Sequence, residues 1–98
     1  MKLKDKVALI TGAAGGIGAA IAIGYAKEGA RIVVADIMDG KDTVEAVEEA
    51  GSEALYVKTD VTRQEQCDAA AKAAVDRFGT IDILVNNAGL FADIVMKP

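Results

Sequence analysis

Histidine and tryptophan are absent, cysteine occurs once, and aromatic residues make up only 4 % of the chain. With one thiol and no imidazole, an internal disulfide is excluded and a zinc site has almost no ligands to draw on. So few aromatics rule against a binding surface built from stacked rings. Basic blocks are missing as well: the formal net charge is −4 and lysine and arginine are scattered, so the electrostatic footprint of a nucleic-acid binder is not there. No apolar run is long enough for a membrane span, and the charged start Met1-Lys2-Leu3-Lys4-Asp5-Lys6 is not a signal peptide. The default expectation is a cytoplasmic protein.

What the chain does have is small and apolar residues, 52 % hydrophobic with abundant alanine and ten glycines, a composition suited to helices packed closely on a sheet. Its 98 residues suffice for one domain with one core.

The organising stretch is Thr11-Gly12-Ala13-Ala14-Gly15-Gly16-Ile17-Gly18, which follows the apolar run Val7 to Ile10 and opens a helical pattern. A strand, a glycine loop and a helix start, in that order, make an anion site: a pyrophosphate can approach bare backbone, and the first-turn N–H groups have no partners of their own. Gly18, further along, lets the helix lie close to the strand.

Val7 to Thr11 is the first strand, apolar on both faces as a central parallel strand should be, and the remaining elements follow in order. The helix from Gly16 to Glu28, with Ile17, Ala20, Ile21 and Gly24 expected inward, stops at Gly29. Ile32 to Ala35 is a β-branched strand ending at Asp36. Asp42-Thr43-Val44-Glu45 reads as a capping box opening a second helix that stops at Gly51, and Ala54 to Lys58 is a third strand. Thr62-Arg63-Gln64-Glu65 is a second such box, opening a helix with Cys67, Ala71, Ala74, Val75 and Phe78 on its inner side before Gly79. Cys67 is read there as a small core residue. Ile83 to Asn86 is the fourth strand. This alternation calls for an α/β fold: a Rossmann-type, doubly wound parallel sheet, N-terminal half only, with strand order 3-2-1-4 and a ligand crevice where the winding reverses between strands 1 and 4.

Three further positions fall at the carboxyl edge of such a sheet. Asp36 ends the second strand about 20 residues beyond the glycines, where a carboxylate accepts both hydroxyls of an adenosine ribose and repels a 2′-phosphate, favouring NAD over NADP. Gly15 agrees, since no basic side chain stands in the loop. Asp60-Val61 follows the third strand, where Asp60 is either a neighbour of an adenine amino group or a plain turn acid ahead of Thr62. Asn86-Asn87-Ala88-Gly89 closes the fourth strand with small residues that leave room for a flat ligand, or that simply make a turn.

Together, Thr11 to Gly18, Asp36, Asp60-Val61 and Asn86 to Gly89 resemble the short-chain dehydrogenase/reductase family, in its classical branch with T-G-x-x-x-G-x-G and N-N-A-G motifs. The resemblance spans essentially the whole chain. It implies that Gly12, Gly16, Ile17 and Gly18 hold pyrophosphate, Asp36 the adenosine ribose, Asp60 and Val61 the adenine, and Asn87, Ala88 and Gly89 the nicotinamide side. Ala14, Gly15 and Ile37 complete the expected cofactor-binding set, with NAD as cofactor.

Members of this family catalyse with a serine and a Tyr-x-x-x-Lys pair in the second half of a longer chain. Here Gly29 stands four positions after Tyr25, and Asp60 four after Tyr56, so neither tyrosine is matched to a lysine and no catalytic residue is assigned. The expectation is therefore a partial NAD-binding domain over residues 1–98, truncated before the catalytic half and inactive alone. Its parent would be an NAD-dependent oxidoreductase acting on a secondary alcohol, ketone or 3-oxoacyl substrate. The alternative is a stand-alone, non-catalytic nucleotide-binding or oligomerisation module. If the chain ends at Pro98, the fourth strand, Ile83 to Val85, becomes a bare sheet edge, which predicts a homo-oligomer or the exchange of a strand or element.

Overall fold

The structure, a computed structural model, describes residues 1–88. Seven elements follow in chain order: β1 (Val7–Thr11), α1 (Gly16–Lys27), β2 (Arg31–Asp36), α2 (Lys41–Glu49), β3 (Ala54–Lys58), α3 (Gln64–Phe78) and β4 (Ile83–Asn86). All pairings are parallel and the strand order is β3-β2-β1-β4. This is the expected Rossmann-like arrangement, with winding that reverses at β1.

β1 and β2 form the buried centre, and their alternate residues face different helices. Ala8, Ile10, Ile32 and Val34 join Ala22 and Ala26 of α1 and Val47 of α2 on one face. On the other, Val7, Leu9, Val33 and Ala35 meet Ala70 and Ala74 of α3. Because both faces are covered, these strands read as unbroken apolar runs and not as an alternation. Asp82 pins the start of β4 to β1: its carboxylate accepts the Val7 N–H (2.9 Å) while its own N–H donates to the Val7 carbonyl (2.9 Å).

Four expectations need correction. The inner face of α1 is Gly18, Ala22 and Ala26, whereas Ala20 and Gly24 are exposed and Ile17 is 74 % exposed. That helix is apolar nearly all round, so side-chain size decides its contact face: only small residues allow the close approach. Neither capping box forms. α2 begins a residue earlier than Asp42, after Gly40, and α3 begins after Arg63, neither with a side-chain cap. Thr62 instead donates its hydroxyl to Asp60 Oδ1 (2.6 Å). Val75 is exposed, and the deepest residues of α3 are Ala70 and Ala74. Cys67 is only half-buried, with its thiol directed to the Val61 carbonyl at 3.6 Å, so it is not a core residue.

Among the described residues no helix is long and apolar enough to cross a membrane. Trimming Val47, fully buried between α2 and the sheet, to alanine should destabilise the chain by about 2 kcal/mol in urea denaturation, from lost burial plus the cavity left behind.

Candidate dinucleotide site at the carboxyl edge of the sheet

The loop between β1 and α1 is shaped by two left-handed glycines, Gly12 (φ 66°) and Gly16 (φ 58°), a conformation that a side chain disfavours. Gly15 between them is extended and caps α1 with backbone only. The first regular helical bond runs from the Ala19 N–H to the Gly15 carbonyl at 3.2 Å, which leaves the N–H groups of Gly16, Ile17 and Gly18 without helical partners. α1 carries no acidic residue in its first turn, whereas α2 has Asp42 and α3 has Glu65 there. Its positive dipole end therefore stays uncompensated. Among the described residues, a Cβ placed on Gly15 or Gly16 would meet nothing within 4 Å, so they leave the space above this loop open.

Below the loop nothing is open. A Cβ on Gly18 would overlap the carbonyl oxygen of Gly12 and approach Asn87 Nδ2 to 2.8 Å. Asn87, one residue past β4, donates its side-chain amide to that same Gly12 carbonyl at 3.2 Å. Thr11 adds a second tie, since its hydroxyl accepts the Ala88 N–H at 3.2 Å and lies 3.2 Å from Asn86 Oδ1. The Asn87 side chain thus holds the loop from beneath. Gly89 lies outside the described residues.

Asp36 leaves β2 half-buried and turns toward the loop. Its Oδ2 accepts the Ala14 N–H at 2.8 Å and its Oδ1 the Met38 N–H at 2.9 Å. A carboxylate has about four acceptor positions, so both oxygens keep capacity for further donors. Ala14, by contrast, has no N–H left to offer. The Asp36 carbonyl is held in turn by the Thr59 N–H (2.9 Å) and the Tyr56 hydroxyl (3.1 Å). Burial, together with the nearby Asp39 and Asp36 charges, raises the Tyr56 pKa and keeps the phenol a neutral donor.

Gly12, Asp36, Ile37, Asp60, Val61 and Ala88 line a single cleft, with Ala35 and Thr59 completing it. Asp60 was open to two readings, and its Oδ1 takes the turn role, accepting both the N–H (3.0 Å) and the hydroxyl (2.6 Å) of Thr62. Those bonds lower its pKa and keep it ionised. Its backbone N–H donates to Gln66 Oε1 at 2.8 Å. Oδ2 accepts no hydrogen bond among the described residues.

Thr43 was overlooked by sequence reasoning. Inside the expected Asp42 to Glu45 box it has no role of its own, yet it sits in the first turns of α2, 3 % exposed, and donates its hydroxyl to the Ala13 carbonyl at 2.7 Å. A signal was available: Thr43 and Val47 are four residues apart, so a polar side chain shares the buried stripe of α2 and must find a partner there.

A parallel sheet with a bare glycine loop at one switch-point strand and an acid at the end of the next defines the class of dinucleotide-binding α/β proteins. Residues 6–97 match the short chain dehydrogenase family, and the chain belongs to it. It is 52 % identical over 91 residues to a galactitol 2-dehydrogenase of Agrobacterium fabrum, covering 93 % of this chain and 35 % of that protein. Against a sorbitol dehydrogenase of Cereibacter sphaeroides it is 48 % identical, with the same coverages, 93 % and 35 %. The fold superposes on a short chain dehydrogenase from Mycobacterium paratuberculosis bound to NAD with a TM-score of 0.85, at 31 % identity over 89 % of this chain and 38 % of that one. The chain thus spans about a third of the length of its curated relatives.

Gly18→Ala should destabilise the protein by about 2 kcal/mol in urea denaturation, because a methyl group must displace backbone. Tyr56→Phe removes one hydrogen bond, about 1 kcal/mol. A raised pKa means that this advantage of the wild type is fully present below pH 10 and is lost as pH climbs through the phenol's folded-state value. Paired melts of the two proteins from pH 7 to pH 11 check the sign.

Proposed function

We propose that residues 1–98 form the NAD-binding half of an NAD(H)-dependent oxidoreductase, with the adenosine, ribose and diphosphate seated along the cleft from Asp60 to Gly18. The observation that carries this is the start of α1: three N–H groups without helical partners, no acid in the first turn, and open space over Gly15 and Gly16. A diphosphate supplies the acceptors and the negative charge that such a helix end favours. Among the expected residues, Gly12 and Gly18 keep the loop close to the strand, while Gly15, Gly16 and Ile17 present backbone. Ile17 needs no buried side chain for that role, which accounts for its exposure.

Asp36 then selects the sugar. Its carboxylate, already oriented by Ala14 and Met38, accepts the ribose hydroxyls on its remaining lone pairs. A 2′-phosphate there would face like charge with no basic side chain in the loop to offset it, so NAD is the cofactor in this reading. Ile37 and Val61 offer apolar flanks to the adenine, with Asp60 Oδ2 near its amino group. Asn87, Ala88 and Gly89 border the nicotinamide side. When bound, the nicotinamide supplies or accepts the hydride.

The substrate class that this reading favours is a secondary alcohol and its ketone, in keeping with relatives named for galactitol and sorbitol, two sugar alcohols. The residues assigned here bind and orient the cofactor, and none of them is placed as an acid or base. The described face of β4 also bears on partners: among the described residues β4 is the outer strand and Leu84 is 68 % exposed, and a strand edge left unpaired favours association. The proposal includes a homo-oligomer joined there, and a monomer in dilute-solution sedimentation would contradict that part.

Calorimetric titration of the purified chain checks the cofactor. NAD should bind at least tenfold more tightly than NADP, and Asp36→Ala should weaken NAD about tenfold, the loss expected for hydrogen bonds to a charged group. The same variant should narrow the NAD to NADP ratio toward one. Equal binding of both cofactors by the wild type would overturn the assignment.

A further inference from the structure

We infer that Thr43 is a positioning residue for the diphosphate-binding loop, acting through the single peptide group that joins Ala13 to Ala14. This rests on the dinucleotide reading above and extends it to a residue outside the loop. Both polar ends of that peptide are held. Its carbonyl, on Ala13, accepts the Thr43 hydroxyl at 2.7 Å, and its N–H, on Ala14, donates to Asp36 Oδ2 at 2.8 Å. Thr43 is 3 % exposed and Ala13 fully buried, so the first bond is shielded from competing water.

Holding one peptide at both ends fixes its plane. Rotation by half a turn would drive the carbonyl oxygen toward the Asp36 carboxylate and leave the Thr43 hydroxyl facing a donor, so both neighbours oppose it. The residues on either side of this peptide do the opposite job. Gly12 and Gly16 are left-handed glycines with the widest backbone freedom, and Gly15 and Gly16 touch nothing on their open side. A loop this free must be fixed somewhere for its N–H groups to point at one place, and the Ala13–Ala14 peptide is where side chains from β2 and α2 fix it. Asp36 contributes to both ribose and loop, whereas Thr43 acts on the loop alone.

The consequence is a separation of effects. Thr43→Val keeps the shape but removes the donor, leaving the Ala13 carbonyl unpaired in the core. The affinity for ADP-ribose, which carries the diphosphate, should fall about fivefold, the equivalent of one lost hydrogen bond. Adenosine, which does not reach the loop, should bind within about twofold of wild type. Thr43→Ser, which keeps the hydroxyl, should restore ADP-ribose binding. Equal losses for adenosine and ADP-ribose, an unchanged ADP-ribose affinity, or failure of serine to rescue would each overturn the role.

A second measurement needs neither ligand nor variant. Amide hydrogen exchange of the wild type, read by NMR, should protect the Ala14 N–H relative to the Gly15 and Gly16 N–H groups. Exchange of Ala14 as fast as Gly15 would overturn the inference even if Thr43→Val does not fold. Failure of wild-type chain to bind ADP-ribose at all would instead count against the dinucleotide reading, leaving the exchange result to decide the peptide's restraint.

Discussion

The contact between the backbone of Gly18 and the carbonyl of Gly12 is the constraint on which the rest of the structure depends. α1 can cross the end of β1 at this distance only because position 18 has no side chain. Any wider spacing would move the helix start away from the sheet edge, and with it the three N–H groups that end there. The small residues further along the same face, Ala22 and Ala26, continue the close packing over β1 and β2. The abundance of alanine in the sequence and the near absence of aromatics are therefore one property: a sheet covered at short range by thin helices.

Around that contact the carboxyl edge divides into a closed floor and an open top. The floor is made of side chains bonded to backbone: Asn87 and Thr43 to the carbonyls of Gly12 and Ala13, Thr11 to Ala88, Asp36 to Ala14. Among the described residues no buried side-chain nitrogen or oxygen lacks a hydrogen bond. The top is made of backbone that none of the described residues covers at Gly15 and Gly16. A site of this kind is rigid where it touches the fold and unsatisfied where a ligand would sit, which is the arrangement preorganised binding requires. Among the described residues a second space opens between the sheet and α3, lined mainly by apolar groups such as Leu9, Ala70, Ile81 and Leu84.

Much of this could be read from the sequence, and the division between success and failure is physical. β3 and β4 were expected at their observed ends, and the strand order followed from the alternation of elements with right-handed crossovers. Backbone-driven features were equally legible: Gly12, Gly16 and Gly18 stand where the chain needs absent side chains. The face of α1 was not legible, because a helix apolar on every side has no periodicity to read, and the deciding property was residue volume at Gly18, Ala22 and Ala26. Capping patterns misled for a different reason. Local rules put the caps at Asp42 and Thr62, but neither side chain caps its helix: Thr62 bonds Asp60 in the preceding turn, and Thr43, next to Asp42, bonds a loop thirty residues earlier in the chain. Thr62 found a local partner outside its helix and Thr43 a tertiary one, and only the buried spacing of Thr43 with Val47 hinted at the latter.

In the proposed function, bare amides at the start of α1 receive a diphosphate. Titrating ADP-ribose into the isotope-labelled chain and following backbone amide shifts by NMR tests it most directly. The account predicts that the largest shifts fall on Gly15, Gly16, Ile17 and Gly18, with Asp36 and Ile37 next and the residues of α3 little changed. Shifts concentrated on α3 and Leu84, with the glycine amides still, would contradict it.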